Sequence, residues 1–202
     1  NLEISLERMK ALGSSLLLIP GPKMIWHFSE MGMENSIFTC EDGSYGGEDC
    51  KLSTKPQPQW SDDWTLLNKR KEIYEYWSKI IELKINEPVF EGEFELKVFN
   101  QNKLLPTIDI WNDNLSGDTL KYVYVISNFD VTKKSLILDL PISGEWKDLI
   151  NNEFIDFSQN SSIELEPGTS LVLGNYLNCD SVDSDGDGVG DVCDDDIDGD
   201  GI

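Results

Sequence analysis

Five aspartates near the end of the chain, Asp183, Asp185, Asp187, Asp191 and Asp194, carry the clearest chemistry in the sequence. The run reads Asp183-Ser-Asp-Gly-Asp-Gly-Val-Gly-Asp-Val-Cys-Asp194. Counted from Asp183, the acids fall at positions one, three, five, nine and twelve, with Gly188 at six and the Val189 carbonyl at seven. That is the ligand order of a calcium loop, in which hard oxygen donors wrap one hard cation and a glycine makes the sharp turn. Without a cation the carboxylates would repel one another, and bound calcium supplies the opposing charge. Position twelve is Asp rather than Glu and no helical periodicity flanks the run, so it is not an EF-hand. Asp196, Asp198 and Asp200 repeat the spacing with Gly201 again at the turn, and Ile202 comes before a ninth or twelfth ligand. Calcium is the cofactor these residues predict. A solvated acidic tail is the plainer alternative, but nothing about solvation requires Asp at alternate positions.

With Cys179 and Cys193, this run resembles thrombospondin type 3 repeats, which string calcium ions along an irregular chain tied by disulfides. The resemblance covers residues 178–202.

The charge follows the same division. The chain has 38 acidic and 16 basic residues, a net charge of −22, and ten of the acids and none of the bases lie from Asn178 onward. The body is acidic but ordinary. Nucleic acid is excluded as a partner, because phosphate binding needs basic surface. The longest apolar run, Leu16–Ile19, is far too short to span a membrane. The chain opens without an initiator Met or a signal peptide, in the middle of an amphipathic pattern, and reads as a fragment of a longer protein.

Cys40 and Cys50 bracket a glycine-rich acidic loop, and Cys179 and Cys193 bracket the calcium run. Two short-range pairs predict two local disulfides and an oxidising, extracellular setting, secreted or at the cell surface. Each closure would stabilise by about 3 kcal/mol on the chain-entropy account. Four free thiols in a reducing compartment are the alternative. Zinc is excluded by the lack of a CxxC pair or clustered histidines.

The elements that must position these groups fall into three blocks: 1–87, 88–177 and 178–202. Leu2, Ile4, Leu6, Met9, Leu12, Leu16 and Leu17 are mostly three or four apart, which predicts a helix over 2–17 with one buried face. Pro20-Gly-Pro22 ends it. Lys23–Phe28 is a short apolar run that predicts a buried strand. A loop rich in Gly, Asp and Pro reaches to about Asp63. Asp62 or Asp63 could cap a second helix marked by Leu66, Leu67, Ile73, Tyr76, Trp77, Ile80, Ile81 and Leu83. Beyond Glu87-Pro88 the apolar period becomes two. Runs at 94–99, 108–110, 120–126, 136–140, 163–165 and 171–173, separated by turn residues, predict an antiparallel sandwich.

Pro20–Ile37, with Gly21-Pro22, the apolar Met24–Phe28, Ser29-Glu30 and Gly32, resembles the last barrel strand of the alpha-amylase family, glycoside hydrolase family thirteen. Lys55-Pro56, Trp60, Arg70, Tyr74 and Ile80–Lys84 are similar to the loop and final helix that follow there. Residues 89–175, with Leu140-Pro-Ile-Ser-Gly-Glu-Trp-Lys-Asp-Leu149, are similar to its C-terminal β domain. The resemblance implies an α/β piece over 1–87, the last strand and flanking helices of a (β/α)8 barrel. An antiparallel Greek-key sandwich over 88–177 and the calcium-binding tail follow. It implies an enzyme acting on an α-glucan polysaccharide such as starch. The catalytic Asp, Glu and second Asp of the family lie on earlier strands, and none is matched here. Ser29 replaces a usual Gly, and His27 replaces a usual Gln or Tyr. Glu30 matches a structural, hydrogen-bonding glutamate. Trp26, Phe28, Trp60, Trp64 and Trp77 could stack on sugar, but packing is the simpler reading for each. A different class of function stands beside the enzyme: the β domain and calcium repeats as a non-catalytic adhesion or spacer module.

Overall fold

The computed structural model describes residues 2–26, 28–33, 40, 44, 68–98, 103–116, 119–138, 140–141, 144–157, 162–176 and 184. Helix α1 (Leu2–Leu17) and helix α2 (Asn68–Asn86) lie side by side. Glu3 sits in the first turn of α1 and Lys84 in the last turn of α2, each matched to the helix dipole. Pro88 forbids helix just before it, and Glu87 is extended. The two helices are joined by packing and by charge. Glu7 accepts from Lys69 and lies 3.1 Å from Lys10, and Glu72 lies 3.0 Å from Lys10 and 3.2 Å from Lys69. Burial alone would raise the Glu7 carboxyl, but the hydrogen bonds from Lys69 and Lys10 outweigh it and hold Glu7 below its ordinary value.

Eight strands follow: β1 (Glu93–Lys97), β2 (Thr107–Trp111), β3 (Leu120–Ser127), β4 (Lys134–Ile137), β5 (Gly144–Asp148), β6 (Glu153–Phe157), β7 (Ser162–Leu165) and β8 (Ser170–Tyr176). Six form one sheet in the order β1-β2-β3-β8-β5-β6, and β4 pairs with β7 in a second. Every pairing is antiparallel. The large sheet is the middle of three layers. One face meets the helices: Ile108, Ile110, Val123, Val125 and Val172 pack with Leu6, Leu17, Ile73, Trp77 and Ile80. The other face meets the small sheet, where Tyr124, Ile126, Trp146 and Leu173 pack with Leu138 and Leu165. Strand β3 is therefore covered on both faces, which is why Tyr122–Ile126 is a near-continuous apolar run.

The first core runs across residue 87, so the change from helical to strand periodicity is a change of element inside one packed body. Small residues bring helix and sheet together. Ser15 Oγ donates to Ser127 Oγ at 2.8 Å, and Ser127 Oγ lies 2.8 Å from Ser170 Oγ. Gly168 sits at φ +77 in the turn before β8, and a Cβ there would lie 2.8 Å from the Arg8 nitrogen.

Two expectations are corrected, and one hairpin went unanticipated. The apolar residues of α1 do not share one buried face. Leu6 and Leu17 are buried, whereas Leu2, Ile4, Leu12 and Leu16 remain exposed on other sides of the helix. Pro22–Trp26 is not a strand and is not buried: Met24 is 78% and Trp26 57% exposed. A parallel strand finds all its backbone partners on neighbouring strands, and the described residues supply none beside this segment. Strands β5 and β6 were not anticipated as a hairpin. Asp148 builds its turn, accepting from the Ile150 and Asn151 amides at 2.9 and 3.1 Å, and Asn152 adopts φ 61.

Candidate functional site

The sequence directs attention first to the segment after α1. Phe28 takes a left-handed conformation, φ 58 and ψ 19, which a residue with a Cβ adopts at a cost. It turns the chain into a short 3-10 segment, Ser29–Met31, closed by Ser29 N–H to Trp26 O at 2.8 Å and Gly32 N–H to Ser29 O at 2.9 Å. Gly32 is also left-handed, at φ 68, and a Cβ on it would come within 2.5 Å of Leu6 Cδ2. Arg70 of α2 fixes the turn from beneath. Its Nη1 donates to Met31 O at 2.9 Å and to Gly32 O at 2.6 Å, and the side chain is 1% exposed. Those carbonyls receive protons from Nη1, which offsets part of the cost of burying the guanidinium. The sequence singled out Arg70 only by its resemblance to the final helix of the alpha-amylase family; nothing local in sequence marks two acceptors some 38 residues away.

Glu30 lies on this turn and lines a pocket of about 480 Å³ with Ile25, Phe28, Tyr74, Trp77, Ser78 and Ile81. No hydrogen bond reaches its carboxylate from the described residues. Among the described residues it is also the only acid of the lining. Glycoside hydrolysis requires two carboxyl groups across the bond, about 5 Å apart in retaining enzymes. Glu30 alone cannot provide that pair. Trp77 is a packing residue: it is buried, and its Nε1–H donates to Met9 O at 2.8 Å. Trp26 is exposed, contrary to the packing expected of it.

The remaining residues singled out by sequence are distributed differently. Cys40 is buried and disulfide-bonded, with its amide donating to Ser44 O at 2.9 Å. Cys50, Cys179, Cys193, His27, Trp60 and Trp64 lie outside the described residues. So do all the calcium-loop positions, Asp183, Asp185, Asp187, Val189, Asp191, Asp194, Asp196, Asp198 and Asp200. Among the described residues no group of three or more His, Cys, Asp or Glu could hold a metal ion, and no helix is long and apolar enough to cross a membrane.

No family model and no curated protein matches the chain. Solved structures do. An Anoxybacillus alpha-amylase is 14% identical, with a TM-score of 0.57, and the match covers 87% of this chain and 33% of that one. A trehalulose synthase is 16% identical, with a TM-score of 0.59, over 84% of this chain and 38% of that one. A pullulanase from Anoxybacillus sp. LM18-11 is 16% identical, with a TM-score of 0.55, over 86% of this chain and 24% of that one. The fold, two helices on an antiparallel sheet, is thus one found in glycoside hydrolases of the alpha-amylase family. At these identities the likeness is one of fold. The chain spans between a quarter and two-fifths of the length of these three enzymes.

Proposed function

We propose that this chain is the C-terminal part of a secreted alpha-amylase-type glycoside hydrolase acting on α-1,4-glucans, with its catalytic carboxylates on a preceding segment. The observation that carries this reading is the fold likeness, which takes in most of this chain but a minor share of each enzyme. A barrel active site draws its residues from the ends of several strands at one face. Glu30 is the described carboxylate that stands on a turn of the kind that would follow one such strand. We assign Glu30 a structural place on that rim. The exposed Leu12 and Leu16 of α1, with Met24, Ile25 and Trp26, support the same reading. Apolar surface of this extent belongs against other protein, and the missing barrel would cover it.

The tail is assigned as a calcium-binding element of the thrombospondin type 3 kind. Asp183, Asp185, Asp187, Asp191 and Asp194, with the Val189 carbonyl, would hold one ion. Asp196, Asp198 and Asp200 would begin a second site. Calcium there neutralises charge and orders the chain. Disulfides Cys40–Cys50 and Cys179–Cys193 complete the extracellular assignment.

The test is the sequence preceding Asn1. A strand ending in His-Asp just upstream, with Asp and Glu at strand ends further back, upholds the enzyme reading. A complete helical domain there would overturn it in favour of a non-catalytic spacer or adhesion module.

A further inference from the structure

Among the described residues, the face of the large sheet away from the helices is only partly covered by β4 and β7. Leu140 and Pro141, just beyond β4, form one wall of the gap that remains. The gap is a pocket of about 330 Å³, within the range of small-ligand sites. Strand register sets its floor: Trp111 of β2 lies opposite Tyr122 of β3, and Asp109 lies opposite both Tyr124 of β3 and Glu95 of β1. Asp113, just past β2, and Lys97 of β1 complete the polar side. We infer that this pocket is a binding site for a neutral oligosaccharide, with Trp111 and Tyr122 as the stacking platform and Glu95, Asp113 and Lys97 as hydrogen-bond partners.

The chemistry of the lining selects that ligand. Lys97 Nζ stands 2.7 Å from Asp109 Oδ2 and 3.7 Å from Glu95 Oε2. Asp109 Oδ2 is buried and is neutralised by the Lys97 ammonium beside it. The exposed carboxylates of Glu95 and Asp113 are the acceptors open to the hydroxyls of a ligand. A metal ion is disfavoured, because Lys97 already occupies the focus of Asp109 and Glu95 and no three-ligand cluster exists among the described residues. An anion is disfavoured by three carboxylates against one ammonium. A purely apolar ligand would strand those charges. A sugar ring satisfies both halves of the site: its C–H face lies on an aromatic ring, and its hydroxyls donate to carboxylates and accept from Lys97. Burial, with the Asp113 charge nearby, raises the Tyr122 hydroxyl above its ordinary value and keeps it a donor.

The inference leans on the proposed function only for its first probe. The 202-residue chain is titrated with maltoheptaose, and separately with cellohexaose, while the indole and tyrosine signals are followed by NMR. The expected result is saturable, millimolar binding of at least one sugar, with shifts confined to Trp111, Tyr122 and their neighbours. Trp111→Ala should weaken binding about tenfold or more, the loss of one stacking contact with its buried area. Should that variant lose its far-ultraviolet dichroism, Glu95→Gln on the edge strand serves instead, with a severalfold loss. Binding of neither sugar, binding unchanged in the variant, or calcium rather than sugar shifting these signals would overturn the inference. An active extended enzyme with a silent pocket would refute this site alone. A sugar-binding pocket on an inactive extended enzyme would refute the catalytic reading alone.

Discussion

Gly13 sits in the middle of α1, where alanine would ordinarily be worth about 0.5–1 kcal/mol to a helix. Here the sign should reverse. A Cβ at Gly13 would stand 2.4 Å from Trp77 Nε1, 2.7 Å from its Cδ1 and 3.0 Å from its Cε2. The indole cannot yield easily, because Trp77 is 2% exposed within the first core. Its N–H shares the Met9 carbonyl, 2.8 Å away, in the turn of α1 just before Gly13. Overpacking costs about 1–3 kcal/mol. Leaving the buried indole N–H without an acceptor costs about 1–3 kcal/mol more. Set against the helical gain, Gly13→Ala should destabilise by about 3 kcal/mol, with a range of about 1–5. For a chain of this size that lowers the melting temperature by about 6–12 °C. Urea and thermal unfolding, followed by circular dichroism, read it directly. Trp77→Phe in the Gly13→Ala background should lose less than the two single changes summed. A Gly13→Ala protein as stable as the parent, or more so, would refute the close helix contact.

Asn128 should be nearly as sensitive. Its Nδ2 lies 3.0, 2.9 and 3.2 Å from the carbonyls of Thr132, Leu165 and Glu166, and its Oδ1 accepts from the Asp130 amide at 2.9 Å. Asn128→Ala is expected to cost about 2–3 kcal/mol in urea unfolding, because buried carbonyls lose their donor. Lys84 gives a pH signature. Burial, then the charge of Lys23, lowers its ammonium from 10.5 to about 8. Between those values the unfolded chain holds the proton more tightly, so this group's contribution to stability rises with pH across the window. Lys84→Met should flatten that rise; an identical pH slope in both proteins would contradict it. For the tail, calorimetric titration of a 178–202 peptide with oxidised cysteines should show calcium binding that Asp187→Asn weakens, and no heat at millimolar calcium would remove the assignment.

The parts of the fold that follow from periodicity were legible. Helix α1 and strands β1, β2, β3, β4, β7 and β8 stand where their apolar spacing puts them, to within a few residues at the ends. The β5–β6 hairpin was not, because Gly144–Asp148 carries one apolar side chain, Trp146, and leans on Asp148 for its turn. The split of α1 into buried and exposed apolar stripes was illegible for another reason. Leucine at helical spacing marks a face but not what covers it, and α1 has both a sheet-facing stripe and an uncovered one. The Arg70 clamp on Gly32 and the Trp111 pocket are assembled by tertiary register. Arg70 and Gly32 were marked by resemblance but not as partners, and the pocket residues were not marked at all, so both arrangements acquire meaning only when strands and helices bring them together.

The central claim is that this chain completes a glycoside hydrolase whose catalytic carboxylates lie elsewhere. It is tested by assaying reducing ends released from soluble starch by two proteins, the 202-residue chain alone and the same chain extended upstream through the segment proposed to be a barrel. The account predicts turnover by the extended protein and none by the chain alone, with Glu30→Gln in the extended protein leaving residual activity. Turnover by the chain alone that disappears on Glu30→Gln, or an extended protein inert on starch, would contradict it.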